Sequence, residues 1–100
     1  MNCCTFTGYL LEDPQIASAQ TARYCVFDLV TYEYRKNRAG QKQRIPTTLT
    51  FQAWDSGADA IAKLGKKGMK MTIYASARHG DSDNIMFRVN QFDFGCLDKE

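Results

Sequence analysis

Apolar and polar residues alternate in five short runs of this 100-residue chain. Successive side chains of a β-strand point to opposite faces, so this alternation predicts strands with one buried face. The runs cover residues 3–11, 24–34, 45–54, 69–77 and 85–94. In the second run, for example, Cys25, Phe27 and Leu29 share one face. The chain is therefore predicted to be one all-β domain over residues 1–100.

One helix is predicted between the third and fourth strands. The side chain of Asp55 or Ser56 is expected to cap it, and it runs to about Leu64, with Ile61 and Leu64 as its apolar stripe. Gly8, inside the first strand, predicts a bulge or a sharp bend. Three strands, one helix and two strands form the order of a five-stranded Greek-key barrel of the oligonucleotide-binding (OB) type. Closure into a barrel also removes exposed sheet edges from a chain of this size.

Positive charge is concentrated in two segments. Nine of the 13 Lys and Arg residues lie in residues 35–44 and 63–70, and neither segment contains an acid. Because the net charge is only +2, we expect two positive patches on a nearly neutral molecule. Such patches suit a phosphate backbone, although solvated loops have the same composition. Residues 35–44 are predicted to be a long loop between the second and third strands, and long loops often carry function.

The four cysteines form no recognisable metal or disulfide motif. No Cys-x-x-Cys occurs, and the only histidine, His79, is far from all four in sequence. We expect the cysteines to be small buried side chains in a reducing compartment, with no cofactor and no metal. The chain has no nucleophile motif and no glycine-rich phosphate loop, so an enzyme is the least supported class. It also lacks a signal peptide and an apolar run of roughly 20 residues, so no membrane association is expected.

Five segments, in the same order, resemble the bacterial single-stranded DNA-binding protein (SSB) family. They are the Gly-x-Leu-x-x-Asp-Pro pattern at 8–14 and the segments 25–31, 51–54, 64–68 and 71–75. The likeness covers about residues 2–95. It implies an OB fold that binds single-stranded DNA, or alternatively RNA, without sequence preference during DNA replication, recombination or repair. It also implies a homodimer or homotetramer with subunit contacts on the first strand, in the cytoplasm with the nucleoid or in an organelle matrix.

The chain departs from the family at several positions. Trp54 is its only tryptophan and stands where the family commonly has phenylalanine, whereas Tyr34 and Thr48 stand near expected tryptophans. The domain is expected to lack the acidic C-terminal tail through which the family recruits replication proteins. Two alternatives therefore stay open. One is a PriB-like primosomal accessory protein with primosome partners, and the other is an OB-fold protein-interaction module that does not bind nucleic acid.

Candidate site residues follow from where OB folds bind nucleic acid, on the second and third strands and the flanking loops. Single-strand binding combines cations along the phosphates with flat side chains under the bases. The predicted phosphate contacts are Arg35, Lys36, Arg38, Lys42 and Arg44. The predicted base contacts are Tyr32, Tyr34 and Trp54. Second choices are Lys66, Lys67, Arg78 and His79.

Overall fold

The computed structural model describes residues 1–19, 22–80 and 84–95, and within them the chain forms six strands and one helix. The elements are β1 (Cys4–Leu10), β2 (Ile16–Ala19), β3 (Ala22–Lys36), β4 (Lys42–Trp54), α1 (Asp55–Leu64), β5 (Lys70–His79) and β6 (Ile85–Phe94). The short β2, which pairs with the start of β3, was not predicted. Its four residues are too few and mostly too small to show an apolar alternation.

The five longer strands close into a barrel. Their order is β1–β5–β6–β4–β3, and β1 pairs again with β3 to complete the ring. Neighbours are antiparallel except β4 and β6, which pair in parallel at Phe51↔Phe87 and Gln52↔Arg88. The helix lies between β4 and β5, which are the third and fourth strands of the barrel. The predicted five-stranded OB barrel is confirmed.

The core is formed by one parity of β1, β3, β4 and β5 together with the inner face of α1, and partly buried side chains of β6 pack against it. Its buried residues are Leu10, Cys25, Phe27, Leu29, Phe51, Ala53, Ala58, Ile61, Met71, Ile73 and Ala75. Phe51 lies at the centre, and its ring centroid is 5.6 Å from Phe6, 5.7 Å from Phe27 and 5.6 Å from Phe87. Burial of such side chains, at about 1.5–3 kcal/mol each, stabilises the barrel. The predicted buried face of β3, with Cys25, Phe27 and Leu29, is confirmed.

Gly8 lies where β1 passes from β5 to β3. The register of β1 with β5 is continuous from Cys4 to Tyr9, so the predicted bulge is wrong. A Cβ atom at Gly8 would collide with the backbone carbonyl of Val30 on β3. Glycine is therefore required because two backbones approach closely where the barrel closes.

The chain turns from β4 into α1 without a loop. Trp54 is the N-cap, no side chain caps the helix, and Asp55 makes the turn with a φ of 54°. The predicted side-chain cap is therefore wrong. Leu64 is 55% exposed, so its predicted core position is also wrong, because buried Gly65 packs closely against Pro14 in its place. Within the described residues this ten-residue helix is the only one, and it is too short and too polar to cross a membrane.

Candidate functional site

Strands β3 and β4 form a two-stranded ribbon that extends beyond the core. The two strands stay in register from Tyr24↔Trp54 to Lys36↔Lys42. The predicted loop 35–44 is therefore wrong, since only residues 37–41 connect the strands. Both faces of the ribbon end are exposed to solvent, and for that reason its strands show no apolar alternation.

Asn37 organises the turn between β3 and β4. Its Oδ1 accepts hydrogen bonds from the backbone N–H groups of Ala39 and Gln41, both at 2.9 Å. The backbone N–H of Asn37 donates to the backbone carbonyl of Gln41 at 2.9 Å, and Gly40 has a φ of 78°. Asparagine side chains commonly stabilise turns in this way. The turn holds Arg38 at the exposed tip of the ribbon.

The two faces of the ribbon differ in chemistry. One face, here called the outer strip, consists of the cross-strand pairs Tyr24↔Trp54, Val26↔Gln52, Asp28↔Thr50, Val30↔Thr48, Tyr32↔Pro46, Tyr34↔Arg44 and Lys36↔Lys42. Five predicted contacts lie on this strip together with Trp54. Arg35 has the opposite parity and lies on the other face, with its Nε 3.9 Å from a carboxylate oxygen of Glu33.

Two cations of the outer strip lie over tyrosine rings. The Cζ of Arg44 is 4.4 Å from the ring centroid of Tyr32, and the Nζ of Lys42 is 4.8 Å from that of Tyr34. Both contacts are diagonal, because each cation reaches the tyrosine two residues away from its direct cross-strand partner. Such contacts are worth about 0.5–1 kcal/mol at exposed sites, which favours one arrangement of these long side chains.

The cations at the ribbon end lack an anionic partner among the described residues. Within the described part of the chain, none of Lys36, Arg38, Lys42 and Arg44 forms an ion pair. Lys36 and Lys42 are direct cross-strand partners, and like charges in that position repel each other. A bound anion would relieve this repulsion.

Trp54 lies at the opposite end of the outer strip. Its ring centroid is 5.3 Å from that of Tyr24, and the ring planes make an angle of 38°. The indole is half-buried and borders a cleft of about 430 Å³ that is lined by Gln52, Trp54, Arg78, His79, Met86 and Arg88. The structure thus brings the predicted residues Arg78 and His79 to Trp54. Arg88 was missed, although the parallel pairing of β4 with β6, usual for an OB barrel, would have placed it beside Gln52.

Asp28 is the one carboxylate of the outer strip. Its Oδ1 accepts a hydrogen bond from Thr50 Oγ1 at 2.7 Å. Asp28 also lines a smaller cleft of about 150 Å³ that contains Glu12 and Asp13. The middle of the strip is therefore negative, whereas the ribbon end is positive and the Trp54 end borders the cleft that contains Arg78 and Arg88.

Several solved structures share this architecture. The single-stranded DNA binding protein of Thermus aquaticus matches 99% of this chain with a TM-score of 0.79 at 16% identity. The Plasmodium falciparum SSB, solved in complex with single-stranded DNA, matches 98% of this chain and 96% of its own, with a TM-score of 0.75 at 20% identity. The second SSB of Mycobacterium smegmatis matches 99% of this chain and 96% of its own, with a TM-score of 0.76 at 13% identity. The chain has the SSB fold.

The likeness is one of structure. No protein-family model matches the sequence, and no curated protein matches it. The chain spans about half the length of the Thermus aquaticus protein, 51% of which it covers. The SSB fold predicted from the five sequence segments is confirmed.

Two predicted lysines of this SSB fold lie elsewhere. Lys66 and Lys67 are in the loop between α1 and β5, where the backbone N–H of Lys67 donates to Asp13 Oδ1 at 2.6 Å. The N–H of Gly68 donates to the carbonyl of Leu10 at 2.8 Å, so the loop is fastened to the end of β1. Among the described contacts, none joins these lysines to the outer strip or to the Trp54 cleft.

The cysteines differ in burial. Cys25 is buried in the core, which raises the pKa of its thiol above the usual value. Cys4 is half-buried, but Cys3 is exposed because it precedes β1, so the predicted burial is wrong for Cys3. Cys96 lies outside the described residues. In residues 1–19, 22–80 and 84–95, no three His, Cys, Asp or Glu side chains are grouped closely enough to hold a metal ion.

Proposed function

We propose that this protein binds single-stranded DNA without sequence preference, as a non-enzymatic component of DNA replication, recombination or repair. The outer strip is the observation that carries the proposal, because it combines aromatic rings on one face of an OB barrel with cations that form no ion pair within the described residues. Those are the two elements that single-strand binding needs. The SSB of Plasmodium falciparum, which shares the fold, is solved with single-stranded DNA, and this supports the same ligand here.

The two ends of the strip have related roles in this proposal. At the ribbon end, Lys36, Arg38 and Lys42 bind phosphates. At the other end, Trp54 stacks on a base while Arg78 and Arg88 bind the adjacent phosphates. Arg35 makes no contact in this arrangement, because it lies on the opposite face of the ribbon.

One DNA strand can reach both ends of the outer strip. From Lys42 to Trp54 the strip spans twelve residue steps, which is about 40 Å at roughly 3.3 Å per residue. Asp28 lies between the ends and disfavours phosphates there. We therefore expect bases, rather than phosphates, to face the middle of the strip.

We further propose that copies of the chain associate through β1. This strand pairs with β5 from Cys4 to Tyr9, but with β3 only at Tyr9 and Leu10. Within the described residues, the other edge of its first half is left open to a further strand. Association would lengthen the track for one DNA strand.

Charge removal on the two ribbon faces tests the proposed interface. Lys42→Ala is expected to weaken binding to a labelled oligothymidylate and to reduce its salt dependence, since about 0.7 of the log–log slope is lost per phosphate contact. Arg35→Ala is the matched control on the opposite face and is expected to bind nearly as the unaltered protein does. Equal losses from both changes would contradict the proposed interface.

A further inference from the structure

We propose that Arg44 is a base-stacking residue and that Tyr32 is the positioning residue beneath it. In this arrangement the base meets the guanidinium rather than the tyrosine ring. The inference rests on the proposed function and assigns one part of the same site.

The surroundings of Tyr32 support a stack in which the Arg44 guanidinium lies between the tyrosine ring and the base. The Cζ of Arg44 lies 4.4 Å from its ring centroid, and the ring of Tyr9 lies 6.2 Å away at an angle of 54°. Tyr32 is 37% exposed, against 60% for Tyr34, and both neighbours lie close to its ring. The guanidinium above it is the group left for a base to contact.

The chemistry of arginine suits that position. A guanidinium is planar and more weakly hydrated than an ammonium, so it can lie between an aromatic ring and a second flat group. Unstacked bases stack on arginine planes as well as on aromatic rings. Arg44 also forms no ion pair within the described residues, and therefore no acid draws it off the ring.

The neighbouring pair of Lys42 and Tyr34 provides a contrast. The ammonium of Lys42 is compact and cannot serve as a flat platform. Tyr34 is 60% exposed, so much of its ring stays available beside the cation. The two pairs therefore have different roles: Lys42 binds a phosphate, and Arg44 stacks against a base.

The test compares two labelled single strands of about 16 nucleotides, the upper end of the usual site size for one OB fold. One is oligothymidylate and the other carries abasic residues throughout, so the ratio of their Kd values measures the contribution of the bases. Arg44→Lys and Tyr32→Leu are each expected to reduce this ratio by about fivefold or more, the low end for one stacked base. Tyr32→Phe is expected to keep the ratio, because it keeps the ring.

Two further comparisons separate loss of stacking from loss of charge and from a general effect of replacing arginine by lysine. Arg44→Lys keeps its positive charge, so the slope of log affinity against log salt is expected to stay unchanged. Arg35→Lys makes the same chemical change on the opposite face and is expected to keep both the ratio and the slope.

A normal ratio in Arg44→Lys, with a reduced ratio in Tyr32→Leu, would mean that the base stacks on tyrosine directly and would overturn this proposal alone. If the unaltered protein bound neither strand, the proposed function would fail and this assignment with it.

Discussion

Trp54 packs against Tyr24 at the cross-strand pair where β4 ends and α1 begins, with ring centroids 5.3 Å apart. The left-handed backbone of Asp55 turns the chain directly after the indole. Trp54 is thus supported on one side by Tyr24 and borders the cleft with Arg78 and Arg88. A rigid ring beside two cations is suited to hold one nucleotide.

The first prediction concerns this indole. Trp54 is the only tryptophan, so its fluorescence reports on one site, and we expect single-stranded DNA to quench it. Trp54→Ala is expected to weaken binding by about 1–3 kcal/mol, the cost of one lost stacking contact. Trp54→Phe keeps a ring and is expected to lose less. Unchanged emission at saturating DNA would show that no base stacks there.

The second prediction concerns the negative charge in the middle of the strip. Asp28→Asn removes that charge while the new amide oxygen can still accept the hydrogen bond from Thr50. We expect tighter binding of single-stranded DNA by about 1 kcal/mol, the size of the interaction between two unit charges about 4 Å apart in water. Glu33→Gln, on the opposite ribbon face, is the matched control and is expected to have a smaller effect. Unchanged or weaker binding by Asp28→Asn would place the DNA away from the strip.

Closure of the barrel supplies the third prediction. Gly8→Ala is expected to lower the free energy of unfolding by about 1–3 kcal/mol or more, because the new methyl group collides with the carbonyl of Val30. Gly57→Ala is the matched control, since a Cβ there meets no atom and alanine favours the helix by about 0.5–1 kcal/mol. Urea unfolding of both variants measures the two effects. Equal stability of Gly8→Ala and the unaltered protein would contradict the close approach of β1 and β3.

The open edge of β1 supplies the fourth prediction. Light scattering is expected to give the mass of a dimer or a larger even-numbered assembly at tens of micromolar, roughly where an interface of modest area is still occupied. The control measures Gln91→Ala, a change on β6 away from this edge, which is expected to keep the same mass. A monomer under these conditions would contradict association through β1.

The sequence predicted the strands correctly only where one of their faces is buried in the core. Residues 24–29 and 49–53 have a buried face, so their alternation correctly predicted the strands and which side faces outward. Residues 35–44 have no core beneath them, and the ribbon there depends on backbone pairing that leaves no pattern of apolar residues. The sequence therefore indicated these cations without showing that Arg35 lies on the opposite face of the ribbon from the others.

Contacts between residues on different strands were also not predictable from the sequence. The position of Arg44 over Tyr32 depends on the register of β3 and β4, which only the complete ladder determines. The Trp54 cleft depends on the parallel pairing that brings Arg88 beside Gln52. Neither relationship leaves a local signal in the chain.

The proposed interface for single strands is the outer strip, which binds their phosphates and exposed bases. Its most direct test is a titration of the unaltered protein with labelled single-stranded DNA, RNA of the same sequence and duplex DNA over a range of salt concentrations. With five proposed phosphate contacts, at Lys36, Arg38, Lys42, Arg78 and Arg88, log affinity for the DNA single strand is expected to fall with log salt at a slope of about −3.5, from about −0.7 per phosphate. The duplex is expected to bind more weakly, because its bases are stacked inside the helix. Equal affinity for duplex and single strand, or binding that does not change with salt, would contradict the account.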